Sequence, residues 1–240
     1  LFVQIKFWQF LYCVKLLLSM IFFEVDFLNF LADLEINNNR EWFNANKDRF
    51  KAKVEAPFHS FIGRVIELLQ KENPKFTITP KEAIFRIYKD VRFSKDKTPY
   101  KTHMSALISS YGKKEISAPG LYLEFSADNF HIYSGIYQPD PQSLYKIRTH
   151  IAKNQKEFLK LYSSKSFTQT FDVIKGEKNK VIPAEFKNAA IHEPLLYNKA
   201  FYYFSINDSE LLLKEGLDKL VLHTYKVAQP MNEFLEMALV

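Results

Sequence analysis

The sequence predicts a single α+β domain whose largely antiparallel sheet packs against N-terminal and C-terminal helices. Three observations lead to this prediction. Apolar residues recur at helical spacing over residues 26–71, alternating patterns cluster between residues 85 and 137, and helical spacing returns at the end of the chain. Separate runs of helices and strands are typical of the α+β class. The 240 residues are 47% hydrophobic, which is enough for a substantial core.

Residues 1–19 differ in character from the rest of the chain. The apolar run from Phe7 to Phe23 has Lys15 in its middle, and a central lysine costs roughly 2.5–3.5 kcal/mol on membrane insertion. No small-residue cleavage site precedes the charged residues that follow. We therefore predict that Met20 is the start, that residues 1–19 are a non-native or leader extension, and that residues 20–240 form one domain without stable membrane insertion.

The N-terminal part predicts three helices. Apolar residues at helical spacing between Phe27 and Leu34 predict the first. Asn38 with Glu41 three residues later has the character of a capping box and predicts the start of the second. Pro57 predicts the start of a third helix, which runs to about residue 71.

The middle of the chain predicts a run of strands. Apolar and polar residues alternate over residues 85–93, which indicates a strand, although a helical template fits part of the same segment. The stretches "THMSALISS" and "LYLEFSADNFHIYSGIY" predict clearer strands. The second stretch predicts a hairpin that turns at residues 127–129, Ala-Asp-Asn, since Asp and Asn tolerate turn conformations.

The C-terminal part predicts helices with strands between them. Asp140 followed by Pro141 predicts the start of a helix. Residues 167–173 predict a strand, and "FYYFSI" predicts another. The remaining tail is predicted to be helical, with Gly216 and Pro230 interrupting it.

A basic segment rich in aromatic residues precedes the clearer strands. Residues 81–103 hold seven Lys or Arg and three Asp or Glu, in a chain of net charge +6. Guanidinium groups bind phosphate or carboxylate in a bidentate manner, and an adjacent ring can stack on a ligand. We predict that this segment binds a ligand through Arg86, Tyr88, Lys89, Arg92, Lys97, Tyr100 and Lys101. The alternative is that Asp90 and Asp96 pair with neighbouring cations and the segment is a solvated rim.

A second candidate for ligand binding is the start of the second predicted helix. Asn38, Asn39 and Arg40 lie there, and a helix amino end attracts anions. The alternative is that the asparagines only cap the helix and Trp42 belongs to the core.

The residues with a possible catalytic role are few. His103 adjoins the basic segment and could transfer protons, as could Asp90 and Asp96. Glu124 and His131 flank the predicted hairpin turn and could come close across it, although a cross-strand pair of this kind is more often structural. The six histidines show no metal-ligand spacing, and the sequence has no serine-hydrolase, phosphate-loop or dinucleotide motif. We predict no metal site and no cofactor.

These observations favour a cytoplasmic protein that binds an anionic, phosphate-bearing ligand. The chain has one cysteine, Cys13, so it predicts no internal disulfide. One alternative is a hydrolase or transferase that acts on a phosphorylated substrate. The other is a nucleic-acid-binding or protein-interaction module. The sequence does not determine the oligomeric state.

Four stretches resemble one protein family in consistent order. They are "FLADLEINNNREWFNANKDRF", "IFRIYKDVRFSKDKTPYKTHMSA", "GIYQPDPQSLYKIRTHI" and "NKAFYYFS". They are similar to the domain-of-unknown-function 2461 family of conserved hypothetical proteins, from about Phe27 to Leu239. The resemblance implies one domain that begins near Met20. It implies no catalytic residue and no ligand.

Overall fold

The computed structural model describes residues 20–92, 94–110, 112 and 118–240. The predicted extension, residues 1–19, lies outside the described residues, and so does Phe93 of the predicted 85–93 strand. Within the described residues the chain forms helices, one four-stranded antiparallel sheet, and helices again. The predicted α+β class, with an antiparallel sheet between N-terminal and C-terminal helices, is confirmed.

The N-terminal helices follow the predicted apolar spacing. Their ranges are α1 Val25–Ile36, α2 Arg40–Ala45, α3 Lys47–Phe50, α4 Ala56–Glu72 and α5 Pro80–Ala83. Residues Lys51–Glu55 form a π-helical segment that joins α3 to α4 without a break in helical backbone. The second predicted helix is therefore divided into α2 and α3, and Pro57 lies in the first turn of α4 rather than starting a separate element.

The cap of α2 is one residue later than predicted. The Asn39 side chain accepts a hydrogen bond from the Trp42 backbone N–H at 2.9 Å. Asn38, the predicted cap, instead bonds the backbone of Tyr100. Asn39 is the residue with an extended backbone before the helix, so its side chain reaches the free N–H groups of the first turn.

Four strands form the sheet in the order β1-β2-β3-β4. Their ranges are β1 Met104–Ile108, β2 Leu121–Phe125, β3 Asn129–Ile136 and β4 Phe201–Asp208. All neighbouring pairs are antiparallel. The predicted hairpin is confirmed, because β2 and β3 pair directly and the Ser126 backbone N–H donates to the Asn129 carbonyl across the turn.

The predicted strand at residues 85–93 is wrong. Among its described residues, the segment before β1 pairs only through two isolated bridges, Ile84 with Ala106 and Tyr88 with Tyr100. Beyond Tyr88 the chain folds back on itself, since the Lys89 N–H donates to the Pro99 carbonyl. Local side-chain bonds to the backbone compete with a strand ladder here: Asp90 accepts from the backbone N–H of Arg92, and Asp96 from that of Thr98.

The C-terminal part contains the remaining helices. Their ranges are α6 Pro141–Lys153, α7 Gln155–Tyr162, α8 Lys165–Phe171, α9 Lys187–His192 and α10 Leu217–Met237. The Asp140 side chain caps α6, as predicted. Pro230 was expected to interrupt the tail, but it lies inside α10.

The predicted strand at residues 167–173 is also wrong, because most of it is helix α8. Phe167 and Phe171 are spaced four residues apart and both are buried, which is the arrangement of one helix face. The Ser164 side chain caps this helix by accepting from the Phe167 N–H. The β-favouring composition of the segment is overridden by the tertiary packing of its two phenylalanines.

Each strand presents alternate residues to the core. Leu121, Leu123 and Phe125 of β2 are buried, while the residues between them are partly exposed. The same alternation continues through β3. Helix α10 packs on β3, and α4 packs on both α10 and β1. Among the described residues, no helix is both long enough and apolar enough to cross a membrane.

Candidate functional site

An open cleft of about 570 Å³ lies over the sheet positions that do not face the core. It is lined mainly by aromatic side chains from neighbouring strands, because every second residue of β2, β3 and β4 points to this face. We call it the aromatic cleft and define it by Phe85, Tyr122, Glu124, Tyr133, Tyr202 and Phe204. Most ligand-binding pockets combine such apolar walls with a few polar groups.

The rings of the aromatic cleft contact one another across the strands. The ring centroids of Tyr122 and Tyr133 are 5.6 Å apart, and those of Tyr133 and Phe204 are 4.8 Å apart. Burial raises the pKa of Tyr133 to about 12, so its hydroxyl stays protonated at neutral pH. The cleft therefore offers ring surface together with neutral hydroxyl donors.

Glu124 places one carboxylate among these rings. Its Oε2 accepts a hydrogen bond from the Tyr122 hydroxyl at 2.9 Å. His103 Nε2 lies 3.6 Å from Oε2, and His131 Nδ1 lies 3.8 Å from Oε1. His131 is the register partner of Glu124 on β3, so the predicted proximity of these two residues is confirmed. The Glu124 side chain remains 27% exposed.

The protonation of His103 follows from its position. Burial lowers the pKa of His103, and the negative charge of Glu124 opposes that effect in part. Lys89, Lys101 and His131 lower the pKa further. His103 is therefore neutral at pH 7 and has one ring nitrogen able to accept a proton.

Two lysines lie over aromatic rings of the cleft. Lys101 Nζ is 5.2 Å from the Phe85 ring centroid, and Lys175 Nζ is 5.9 Å from that of Phe204. Burial lowers the pKa of Lys101, although the Glu124 carboxylate acts in the opposite direction. Phe85 precedes β1 and Phe204 lies on β4, so the two lysines are associated with opposite edges of the sheet. A cation over a ring face is attracted by the ring quadrupole.

Two cations of the predicted basic segment pair with carboxylates of the segment itself. Arg92 pairs with Asp90 at 2.7 Å, and Lys89 pairs with Asp96. The Arg92 hydrogen bonds hold the pKa of Asp90 at about 2, and Lys89 lowers the pKa of Asp96. Both carboxylates, the predicted proton-transfer candidates, are thus ionised at neutral pH. This is the pairing that the rim alternative expects.

The remaining predicted ligand residues of this segment are divided between surface and core. Lys97 donates to the Val91 carbonyl at 3.0 Å. Tyr88 is 48% exposed, but Tyr100 is only 3% exposed and stacks on Phe43 with a centroid distance of 4.0 Å. The Tyr100 ring is therefore part of the core.

The predicted residues at the helix start have structural contacts. Asn38 bonds the Tyr100 backbone and Asn39 caps α2. Arg40, the first residue of α2, lies near Tyr100, and its charge opposes the burial that raises the pKa of that tyrosine. Arg86 lies close enough to Lys101 for its charge to lower the pKa of that lysine. Of the predicted ligand residues, Lys101 contacts a ring of the aromatic cleft, that of Phe85.

Sequence reasoning missed the aromatic residues on the strands. Tyr122, Tyr133 and Phe204 occupy alternate positions opposite the core-facing residues of the predicted strands. The sequence signal for the cleft was that the solvent-facing positions of these strands are aromatic, where charged residues are usual. Lys175 gave no such signal, since its place beside β4 depends on the bridge between residues 175 and 202.

Comparison with known proteins identifies the family. The model of the conserved hypothetical protein family DUF2461 matches residues 26–234. This match covers most of the chain, so the chain belongs to that family. No curated protein matches it.

Within the described residues, no three His, Cys, Asp or Glu side chains are arranged to hold a metal ion.

Proposed function

We propose that this member of the DUF2461 family binds a phosphate-bearing ligand in the aromatic cleft, with Lys101 as the main partner of the phosphate. The observation that supports this proposal most is the position of Lys101, whose amino group lies over Phe85 beside a cleft of about 570 Å³. A cleft of this size accommodates a small metabolite. Lys175 lies over the Phe204 ring at the other side of the cleft, with its amino group 3.9 Å from Asp172 Oδ2, and is a weaker candidate for the phosphate.

Lys101 is better suited to this role than the lysines and arginines that precede it. Arg92 and Lys89 are already paired with carboxylates, and an added anion would have to compete with those carboxylates. Lys101 is partly desolvated, as its lowered pKa reflects. A bound phosphate would place a negative charge beside the ammonium group and thereby raise the pKa of Lys101.

A thermal-shift screen tests the proposal. The full chain is heated with inorganic phosphate, sugar phosphates and nucleotides, and bound ligand raises the melting temperature. At a concentration one hundred times the dissociation constant, the stabilisation is about 2.7 kcal/mol. We expect Lys101→Met to lose this stabilisation. Lys97→Met is the matched control, since Lys97 bonds the Val91 carbonyl, and it should respond like the wild type. Equal stabilisation of the wild type and Lys101→Met would contradict the proposal.

A second candidate function is hydrolysis or transfer of a phosphoryl group, and the contact between His103 and Glu124 favours it. A neutral histidine can remove the proton of an attacking hydroxyl, and the nearby carboxylate would stabilise the resulting imidazolium. Assays with p-nitrophenyl phosphate and bis-p-nitrophenyl phosphate test this function. His103→Gln should abolish turnover while the protein stays folded. Turnover that is unchanged in His103→Gln would exclude this residue as the base.

We propose the cytoplasm as the compartment in which the chain acts. The proposal is supported by composition: the sequence has one cysteine and so forms no internal disulfide. Disulfides are rare in the reducing cytosol and common in secreted domains. Fractionation of cells that express the full chain tests this assignment, and recovery outside the cytosolic fraction would contradict it.

A further inference from the structure

The chemistry of the aromatic cleft is more specific than phosphate binding requires. Phosphate recognition needs cations and N–H donors, whereas this cleft presents several aromatic rings around one carboxylate. Sugars can also lie on aromatic rings, but they need many hydrogen-bond partners, and Phe85 and Phe204 supply none. A planar heteroaromatic group instead uses ring faces for stacking and only its edge for hydrogen bonds.

Stacking surface is available from neighbouring strands. Tyr133 and Phe204 lie side by side at 4.8 Å, and Tyr137, which is 61% exposed, contacts Tyr202 at 5.2 Å. Exposed aromatic residues on adjacent strands of an antiparallel sheet are a known way to stack nucleobases. Lys101 and Lys175 lie on opposite sides of this surface, over Phe85 and Phe204, so the orientation of the stacked group decides which of the two contacts its phosphate.

Glu124 restricts which base fits. A carboxylate has about four acceptor positions, and the Tyr122 hydroxyl occupies one of them. The nitrogens of His103 and His131, at 3.6 and 3.8 Å, are beyond hydrogen-bond length, so among the described residues Tyr122 is the hydrogen-bond donor to this carboxylate. An ionised carboxylate only accepts, so its best partner is an edge with two adjacent N–H donors. Among the common bases, guanine has such an edge, at N1 and N2. Adenine, cytosine and uracil each place an acceptor beside a donor.

We propose that the aromatic cleft binds a guanine nucleotide, with the base stacked over Tyr133 and Phe204 and its N1–H and N2–H donated to Glu124. This inference rests on the proposed phosphate-binding function and names the ligand class for it. The same chemistry is present in a free guanine nucleotide and in an unpaired guanine of a single strand.

Isothermal titration calorimetry of the full chain with GMP, AMP, guanosine and ribose 5-phosphate tests the inference. Loss of a charge-assisted pair of hydrogen bonds predicts that AMP binds about 10- to 100-fold more weakly than GMP. Glu124→Gln should remove this preference, because the amide replaces one acceptor by a donor. Glu210→Gln, at an exposed carboxylate after β4, is the control and should keep the preference. The comparison of GMP with AMP uses the wild type, so it does not depend on the folding of a variant.

The possible results separate this inference from the proposed function. Equal affinities for GMP and AMP would overturn the inference. Ribose 5-phosphate as tight as GMP would also overturn it, while the phosphate proposal would stand. Guanosine as tight as GMP would support base recognition and overturn the role of the phosphate. A single-stranded oligothymidylate with one central guanine identifies the source: binding at least tenfold tighter than GMP indicates a strand, and equal binding indicates the free nucleotide.

Discussion

The side-chain amide of Asn38 bonds both polar backbone groups of Tyr100. Its Nδ2 donates to the Tyr100 carbonyl at 2.9 Å, and its Oδ1 accepts from the Tyr100 N–H at 3.1 Å. The two residues are 62 positions apart in the sequence. The pair therefore fixes the turn between α1 and α2 against the segment that leads into Lys101 and His103.

Asn38→Ala should destabilise the protein by about 1–3 kcal/mol, because both partly buried backbone groups of Tyr100 would lose their partner. Urea unfolding measures this change. Asn37→Ala is the control, since the Asn37 side chain bonds the Asp33 carbonyl, a local contact within its own helix. Equal destabilisation by the two substitutions would show that the long-range pair contributes nothing specific.

Gly135→Ala should destabilise the protein by more than about 3 kcal/mol, beyond the usual range for single substitutions. Gly135 has φ +87°, and an added Cβ would lie 2.2 Å from the Phe201 carbonyl oxygen of β4. The β3–β4 pairing would have to shift, and the shift would also deform the aromatic cleft.

The matched control for this prediction is Gly216→Ala. Gly216 has a similar φ of +84°, but nothing lies within 4 Å of an added Cβ. Gly216→Ala should lose only about 1–2 kcal/mol of stability, the cost of holding a residue with a Cβ in a left-handed backbone conformation. Comparable melting temperatures for the two variants would contradict the predicted clash.

Glu124→Gln should lower the pKa of His103 further. Burial is the largest cause of the lowered pKa, and the Glu124 charge is the interaction that opposes it. NMR titration of the histidine ring resonances measures the pKa in both proteins. A higher pKa in Glu124→Gln would show that the carboxylate does not stabilise the protonated ring.

The lowered pKa of His103 makes the free energy of unfolding depend on pH. Because the folded-state pKa of His103 lies below the unfolded value of about 6.5, the unfolded state binds the proton first as pH falls. The contribution of His103 to the stability of the folded state is thus fully present above pH ~6.5 and is lost as the pH falls toward the folded-state pKa. His103→Gln should flatten this part of the stability curve measured by urea unfolding. An unchanged slope below pH 6.5 would contradict the assignment.

The parts of the fold that could be predicted are those where one local pattern dominates. The hairpin of β2 and β3 combines strict alternation with turn residues at 127–129, and α6 has both an Asp140 cap and a proline in its first turn. In these elements propensity, spacing and capping agree, so tertiary contacts do not change the outcome.

The two wrong strands fail for different physical reasons. Over residues 85–93 the alternation is present, but local bonds of Asp90 and Asp96 fold the chain back before a ladder can form. In α8 the β-favouring composition is outweighed by burial of Phe167 and Phe171 on one helix face. Neither outcome is determined by the local pattern alone.

The candidate site was predictable only in part. Lys101 and His103 were found because they lie at the end of the basic segment. Glu124 was noticed only as a partner of His131. The aromatic cleft depends on strand order, which brings Phe204 of β4 beside Tyr133 of β3 from 71 residues away in sequence. Such long-range register is not encoded in any local window of the chain.

Binding in the aromatic cleft is tested by a map of amide chemical-shift changes, recorded while the ¹⁵N-labelled full chain is titrated with GMP. We expect the largest changes at Lys101, Glu124, Tyr133 and Phe204, around the aromatic cleft. Changes confined to residues 89–92 and 94–97, or an absence of changes with GMP, inorganic phosphate and ribose 5-phosphate alike, would contradict binding in the aromatic cleft.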